Sequence, residues 1–216
     1  MKFASILGLA ALIHSASAHY IWTTLIAGST STMNAVRQPR NNSPVENVNS
    51  QEMRCNTAFT SAAETVNVSP GSTIGFRLDN TLYHQGPVAI YIARAPGSVA
   101  SWDGNGASWV KIAEWGATFN PFKFVTEGQS QLSTTLPRVP SGEYLVRIEQ
   151  IGLHVAGAPQ FYISCAQINV QNGGGSLPGG VSIPGYVSMS DPGLSVNIYY
   201  PIPTSYRVPG PAVWRG

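Results

Sequence analysis

The stretch QFYISCAQINV, residues 160–170, decides how the chain folds. It is rich in β-branched and aromatic residues and free of Gly and Pro, which predicts an uninterrupted strand. Successive side chains of a strand point to opposite faces. Phe161, Ile163 and Cys165 then share an apolar face that should look into the core. Gln160, Tyr162 and Ser164 share the other, which should look away from it. An amide and a phenol side by side on such a face read either as part of a site or as ordinary solvent-facing sheet.

Outward from this stretch lie similar runs: TVNV (65–68), TIGFRL (73–78), VAIYIA (88–93), YLVRIEQI (144–151) and VNIYY (196–200). Among 22 glycines and 16 prolines, they stand as short strands between turns. No apolar stripe at helical spacing lasts three turns. The expectation is an all-β, immunoglobulin/fibronectin-like antiparallel β-sandwich whose long loops carry function. QNGGGSLPGG (171–180) is expected to be a surface loop before a last segment that packs back on the core, because too few residues follow it for a second domain.

Residues 1–18 have the anatomy of a secretory signal: Lys2, the apolar run from Phe3 to Ile13, and Ala16-Ser17-Ala18 before the cut. The run is too short to span a bilayer. Cleavage leaves 19–216 as a single secreted, extracellular domain with no appended carbohydrate-binding module, expected to be a monomer. Without Lys2 the formal charge drops from +2 to about +1, and only 10% of the residues are charged. That argues against nucleic acid or a membrane as partner and for a neutral one. An oxidising compartment favours pairing Cys55 with Cys165; the alternative is two free buried thiols. The bridge would close about 110 residues, worth about 4–5 kcal/mol in the chain-entropy account. Asn41 and Asn67 head N-glycosylation sequons, each followed directly by a proline.

Cleavage also makes His19 the first residue. The α-amine and imidazole Nδ1 of an N-terminal histidine can chelate one metal ion, once the amine gives up its proton. A second imidazole completes three nitrogens in one plane, a set that suits Cu(II). His84 is a candidate for it, placed at a loop end where Gly86-Pro87 breaks the chain before a strand; a plain exposed loop histidine is the alternative. His154 could reach the face of Gln160 and Tyr162 or be a satisfied loop histidine. The acidic residues are scattered, and Glu143, Arg147 and Glu149 share one strand face, where Arg147 should neutralise Glu149 rather than leave it a poised acid. No phosphate loop, nucleophile elbow or HExxH motif occurs.

Six segments, in order, resemble the fungal lytic polysaccharide monooxygenases of auxiliary activity family 9. They are His19 after the signal, NNSPVENVNSQEMRCN (41–56), YHQGPVAIYIA (83–93), PSGEYLVRIEQIGLH (140–154), PQFYISCAQ (159–167) and NIYYPIPTSYRVPGPAVW (197–214). The resemblance implies a β-sandwich with a flat face and one copper per chain. His19, His84 and an axial Tyr162 would hold the copper, with His154 and Gln160 hydrogen-bonding the bound oxygen species. It further implies the Cys55–Cys165 disulfide, and Tyr206 as a ring that stacks on substrate. The implied reaction is oxidative cleavage of β-1,4-glucan such as cellulose by hydroxylation at C1 and/or C4, with O2 or H2O2 and an external electron donor. The segments before NNSPV and before His84 are short, like the compact forms of the family, which leaves substrate range and regiochemistry open. A copper- or polysaccharide-binding module without turnover is the alternative, and a glycoside hydrolase the third; the products discriminate them.

Overall fold

The computed structural model describes residues 19–57 and 59–216. The signal segment read at 1–18 lies outside the described residues. The strands in chain order are β1 (Trp22–Ala27), β2 (Thr30–Thr32), β3 (Val36–Arg37), β4 (Val66–Val68), β5 (Thr73–Leu78), β6 (Val88–Arg94), β7 (Ala107–Trp115), β8 (Ala117–Thr118), β9 (Lys123–Phe124), β10 (Gln131–Thr135), β11 (Gly142–Gly152), β12 (Gln160–Val170) and β13 (Val181–Ser182). A single-turn α-helix, α1, spans Pro192–Ser195.

Two sheets face each other. The smaller runs β10-β5-β1-β2 and the larger β13-β7-β6-β11-β12-β3, with β4 beside β12 and β8-β9 as a separate hairpin. All pairings are antiparallel except β4 on β12, which is parallel. Trp22, Leu25, Ile74, Phe76, Ile90, Val146, Ile148 and Ile168 fill the space between the sheets.

The larger sheet is buried on its other face too. There Phe161, Ile163, Cys165, Tyr91 and Trp109 pack under a layer of loops that supplies Val45, Val48, Met53, Ile183, Leu194 and Ile198. This corrects the reading of β12. Tyr162 and Ser164 are not on an outer face; they point between the sheets, at 2% and 0% exposure. Phe161, Ile163 and Cys165 point to the loop layer. Alternation sorted the two faces properly, but both are buried because a third layer covers the sheet.

Residues after 180 pack back on the sheets: Ile183, Leu194 and Ile198 join that layer, β13 pairs with β7, and Trp214, its amide donating to the Lys111 carbonyl at 2.8 Å, packs against the cluster between the sheets. VNIYY, expected as a strand, is not one. The Asn197 side-chain oxygen accepts from the amides of Tyr199 and Tyr200, at 2.9 and 3.3 Å, and holds the chain in a turn. Conversely, β1, β7 and β10 lie outside the six runs read as strands. Cys55 and Cys165 are disulfide-bonded, with Cα atoms 5.1 Å apart, and tie the loop layer to β12. Asn41 and Asn67 are both exposed. Among the described residues no helix is long and apolar enough to cross a membrane.

Candidate metal centre

One end of the sandwich gathers the predicted site. Register aligns Val88, Gln150 and Tyr162 across β6, β11 and β12, so the start of β6, the end of β11 and the start of β12 coincide. Trp22 opposes Leu78, which brings the segment before β1 and the loop after β5 to the same end. The Ile21 amide donates to the Asp79 carboxylate at 2.9 Å, and the Asp79 amide returns to the Ile21 carbonyl at 3.0 Å. His19 and the loop bearing His84 are thereby pinned side by side.

The rings converge. His19 lies 6.4 Å from His84 and 6.0 Å from Tyr162, centre to centre, and His84 lies 5.5 Å from Tyr162. His154, just beyond β11, stacks on His84 at 3.8 Å with the planes 9° apart. Gly152 leaves room for this stack, since a Cβ there would meet His154 Nδ1 at 3.1 Å and His84 Cβ at 3.4 Å. The Tyr162 hydroxyl donates to Gln160 Oε1 at 2.9 Å, and Gln160 Nε2 donates to Glu46 Oε1 at 3.2 Å. Beneath them Tyr20 packs 4.5 Å from Tyr162 and 5.6 Å from His84.

Burial shifts two members of this cluster toward their neutral forms. Burial, then the neighbouring Tyr83 and Glu46, pushes the Tyr162 phenol well above its ordinary value, so it stays protonated. Burial, then the adjacent His19, lowers His154 below the usual histidine range and favours its neutral form. His154 Nδ1 is buried with no partner among the described residues.

The model of auxiliary activity family 9, formerly glycoside hydrolase family 61, matches residues 19–206, starting at the histidine around which these rings gather. The chain belongs to auxiliary activity family 9. It is 49% identical to the family 9 lytic polysaccharide monooxygenase H of Malbranchea cinnamomea, over 97% of both chains. It is 45% identical to monooxygenase E of Podospora anserina, over 97% of this chain and 73% of that one. Among solved structures, a cellulose-active polysaccharide monooxygenase from M. thermophila matches with a TM-score of 0.80 and 33% identity, covering 92% of this chain and all of that one. The structure of a glycoside hydrolase family 61 member from Hypocrea jecorina matches in fold, with a TM-score of 0.82 at 23% identity. Family 9 members are copper-dependent oxidoreductases, and this chain is an enzyme of that kind.

The donors present fit such a metal. Two imidazoles sharing one ion at metal–nitrogen distances of about 2 Å stand with their ring centres roughly 6 Å apart, close to the His19–His84 spacing. Among the described residues no three His, Cys, Asp or Glu side chains form a metal cage. Such a cage does not count the Tyr162 ring, which lies 6.0 Å from His19 and 5.5 Å from His84.

Tyr206, the stacking ring that the resemblance implies, is half-buried against the loop layer. Its ring packs edge-on against Phe124 at 5.1 Å and its hydroxyl donates to the Gly193 carbonyl at 3.0 Å. Exposed rings at the histidines include Tyr83, 4.6 Å from the His84 ring, and Tyr199, 53% exposed with its hydroxyl donating to the His154 carbonyl at 3.0 Å; Tyr200, next in the chain, is 81% exposed. The turn held by Asn197 keeps both Tyr199 and Tyr200 out of the core. A groove of about 880 Å³ lies away from the histidines, between Trp115 and residues 207–215. Tyr20, Gln150 and Glu46 escaped the sequence reading. Each acts through a partner more than a hundred residues away, or through a ring contact that spacing does not reveal.

Proposed function

We propose that the chain is secreted, loses residues 1–18, and as the single domain 19–216 cleaves cellulose or a related β-1,4-glucan oxidatively at C1 or C4. The observation that carries this is the convergence of the His19, His84 and Tyr162 rings within 5.5–6.4 Å at one exposed end of the sandwich. Cleavage after Ala18 frees the His19 amine, which with its own imidazole and that of His84 supplies three nitrogens for one copper ion; the Tyr162 phenol faces them. Bound copper supplies one-electron chemistry and activation of O2 or H2O2, and an external reductant supplies the electrons.

The protein's part is placement. Gln160 Oε1 accepts a hydrogen bond from the Tyr162 hydroxyl and aims it, while burial keeps the phenol protonated. His154, neutral and stacked on His84, holds a nitrogen in reserve as a hydrogen-bonding and proton-holding group at the same spot. The Tyr199 and Tyr200 rings offer flat apolar faces to the sugar rings of a glucan chain. With cellulose, copper, ascorbate and oxygen or peroxide, the mature protein should release oligosaccharides ending in aldonic acids or 4-keto sugars. Release should stop without the reductant. Unoxidised oligosaccharides alone, released with or without reductant, would make it a hydrolase. A copper-loaded protein that releases nothing from cellulose, xyloglucan or xylan would be a binding module.

A further inference from the structure

The two histidine-bearing stretches reach the site from distant parts of the chain, and one side chain joins them. Gln150, on β11, accepts at Oε1 from the Tyr20 hydroxyl at 2.8 Å and donates from Nε2 to the His84 carbonyl at 3.1 Å. Gln150 thus bridges the Tyr20 hydroxyl and the His84 main chain. The amide can stand only one way round. Its nitrogen must face the carbonyl, which only accepts, so its oxygen faces the hydroxyl. Gln150 is fully buried and Tyr20 is 2% exposed, so water does not replace these bonds.

The loop carrying His84 is also pressed onto β11 next to this residue. A Cβ on Gly86 would lie 1.7 Å from the Ile151 carbonyl oxygen and 3.3 Å from Gln150 Nε2. The Gly86 amide region and the Gln150 side chain together leave the loop little freedom to slide. On the other side, Tyr20 lies directly after His19 in sequence and packs on Tyr162 at 4.5 Å.

We propose that Gln150 is a positioning residue for the metal centre: by locking Tyr20 to the His84 main chain it fixes the separation of the His19 and His84 imidazoles, and through the Tyr20 ring the approach of Tyr162. The inference rests on the copper reading above. Gln150 suits the task because it is neutral. It satisfies two buried polar groups without placing a charge beside a cation, and it ties both stretches to the rigid centre of the larger sheet rather than to a loop.

The test uses the mature chain, Gln150→Leu, Tyr20→Phe and the double variant. Cu(II) affinity is read by competition calorimetry, the Cu(II) site by electron paramagnetic resonance, and the metal-free fold by its melting temperature. Groups that orient metal ligands commonly change affinity about tenfold or more when removed. Gln150→Leu should weaken Cu(II) binding about tenfold and shift the resonance parameters. Tyr20→Phe should do the same more weakly, and the double variant should be no worse than Gln150→Leu, because both cut one link. Wild-type affinity and spectrum in Gln150→Leu, with only a lower melting temperature, would overturn the inference and leave Gln150 a packing residue. If Gln150→Leu does not fold, Tyr20→Phe decides: an unaltered spectrum and affinity there also overturn it. A wild-type mature chain that binds no copper would instead overturn the copper reading itself, and this inference with it.

Discussion

Strand β11 carries buried polar groups on both faces, and the two faces use them differently. Toward the sandwich interior, Gln150 makes a neutral circuit with Tyr20 and His84. Toward the loop layer, Arg147 and Glu149 form an ion pair at 2.6 Å with side chains 0% and 1% exposed. Arg147 also donates to the carbonyls of Met53 and Arg54 at 2.8–3.1 Å, and its guanidinium lies over the rings of Tyr91 and Tyr186. The Tyr186 hydroxyl bonds the same Glu149 carboxylate. The charged cluster fastens loops to a sheet; the neutral one aims ligands at a point. A charge is costly to bury, and it is spent here where it holds two layers together. The Gln150 circuit adds no charge of its own beside the histidines.

The largest expected effect follows from breaking the charged side. Arg147→Met leaves Glu149 buried without its counter-ion and frees the Met53 and Arg54 carbonyls from their donor. Removing one member of a buried pair costs about 3–5 kcal/mol, which for a domain of this size lowers the melting temperature by roughly 10 °C. Thermal unfolding of the metal-free variant measures this. Its Cu(II) affinity at low temperature should stay that of the wild type. A loss of copper affinity at unchanged stability would break the division of labour between the two faces.

Much of this organisation was legible in the residues. Glu143, Arg147 and Glu149 were read on one strand face with Arg147 neutralising Glu149, and they stand so. His19 and His84 were readable as candidate nitrogen donors at a chain start and a loop end, Tyr162 came only from the resemblance to the family, and the three rings stand together. The two faces of β12 were also separable by alternation. What sequence did not reveal is that its Tyr162 face looks into the sandwich. Alternation tells two sides apart but does not say what covers them, and here loops from 45–55 and 181–198 cover one side. VNIYY misread for a local reason. Its composition favours a strand, but Asn197 competes for the backbone and wins a turn. Gln150 was invisible for the opposite reason: both its partners are long-range, Tyr20 across 130 residues and His84 across 66.

A smaller pair of effects sharpens the contrast between a ring that packs and a ring that displays. Tyr206→Ala should cost about 2 kcal/mol of stability, from the contacts its ring makes with Phe124 and the bond to Gly193. Tyr199→Ala should leave melting nearly unchanged and weaken binding to cellulose by about two- to tenfold, the worth of one exposed stacking ring. Pull-down on microcrystalline cellulose and thermal unfolding of both variants separate them. The opposite pattern, with Tyr206→Ala losing cellulose and Tyr199→Ala losing stability, would return the substrate role to Tyr206.

The account turns on His19 acting through its own main-chain nitrogen. Calorimetric titration with Cu(II) of two metal-free preparations tests this most directly: one beginning at His19, the other carrying a single additional Met ahead of it. The extra residue converts the amine into an amide and removes one nitrogen from the set while leaving both imidazoles and Tyr162 in place. The chain that begins at His19 should bind one copper tightly, and the extended chain should bind it at least a hundredfold more weakly, a difference of about 2.7 kcal/mol. Equal affinity in the two preparations would contradict the assignment of the His19 amine as a ligand.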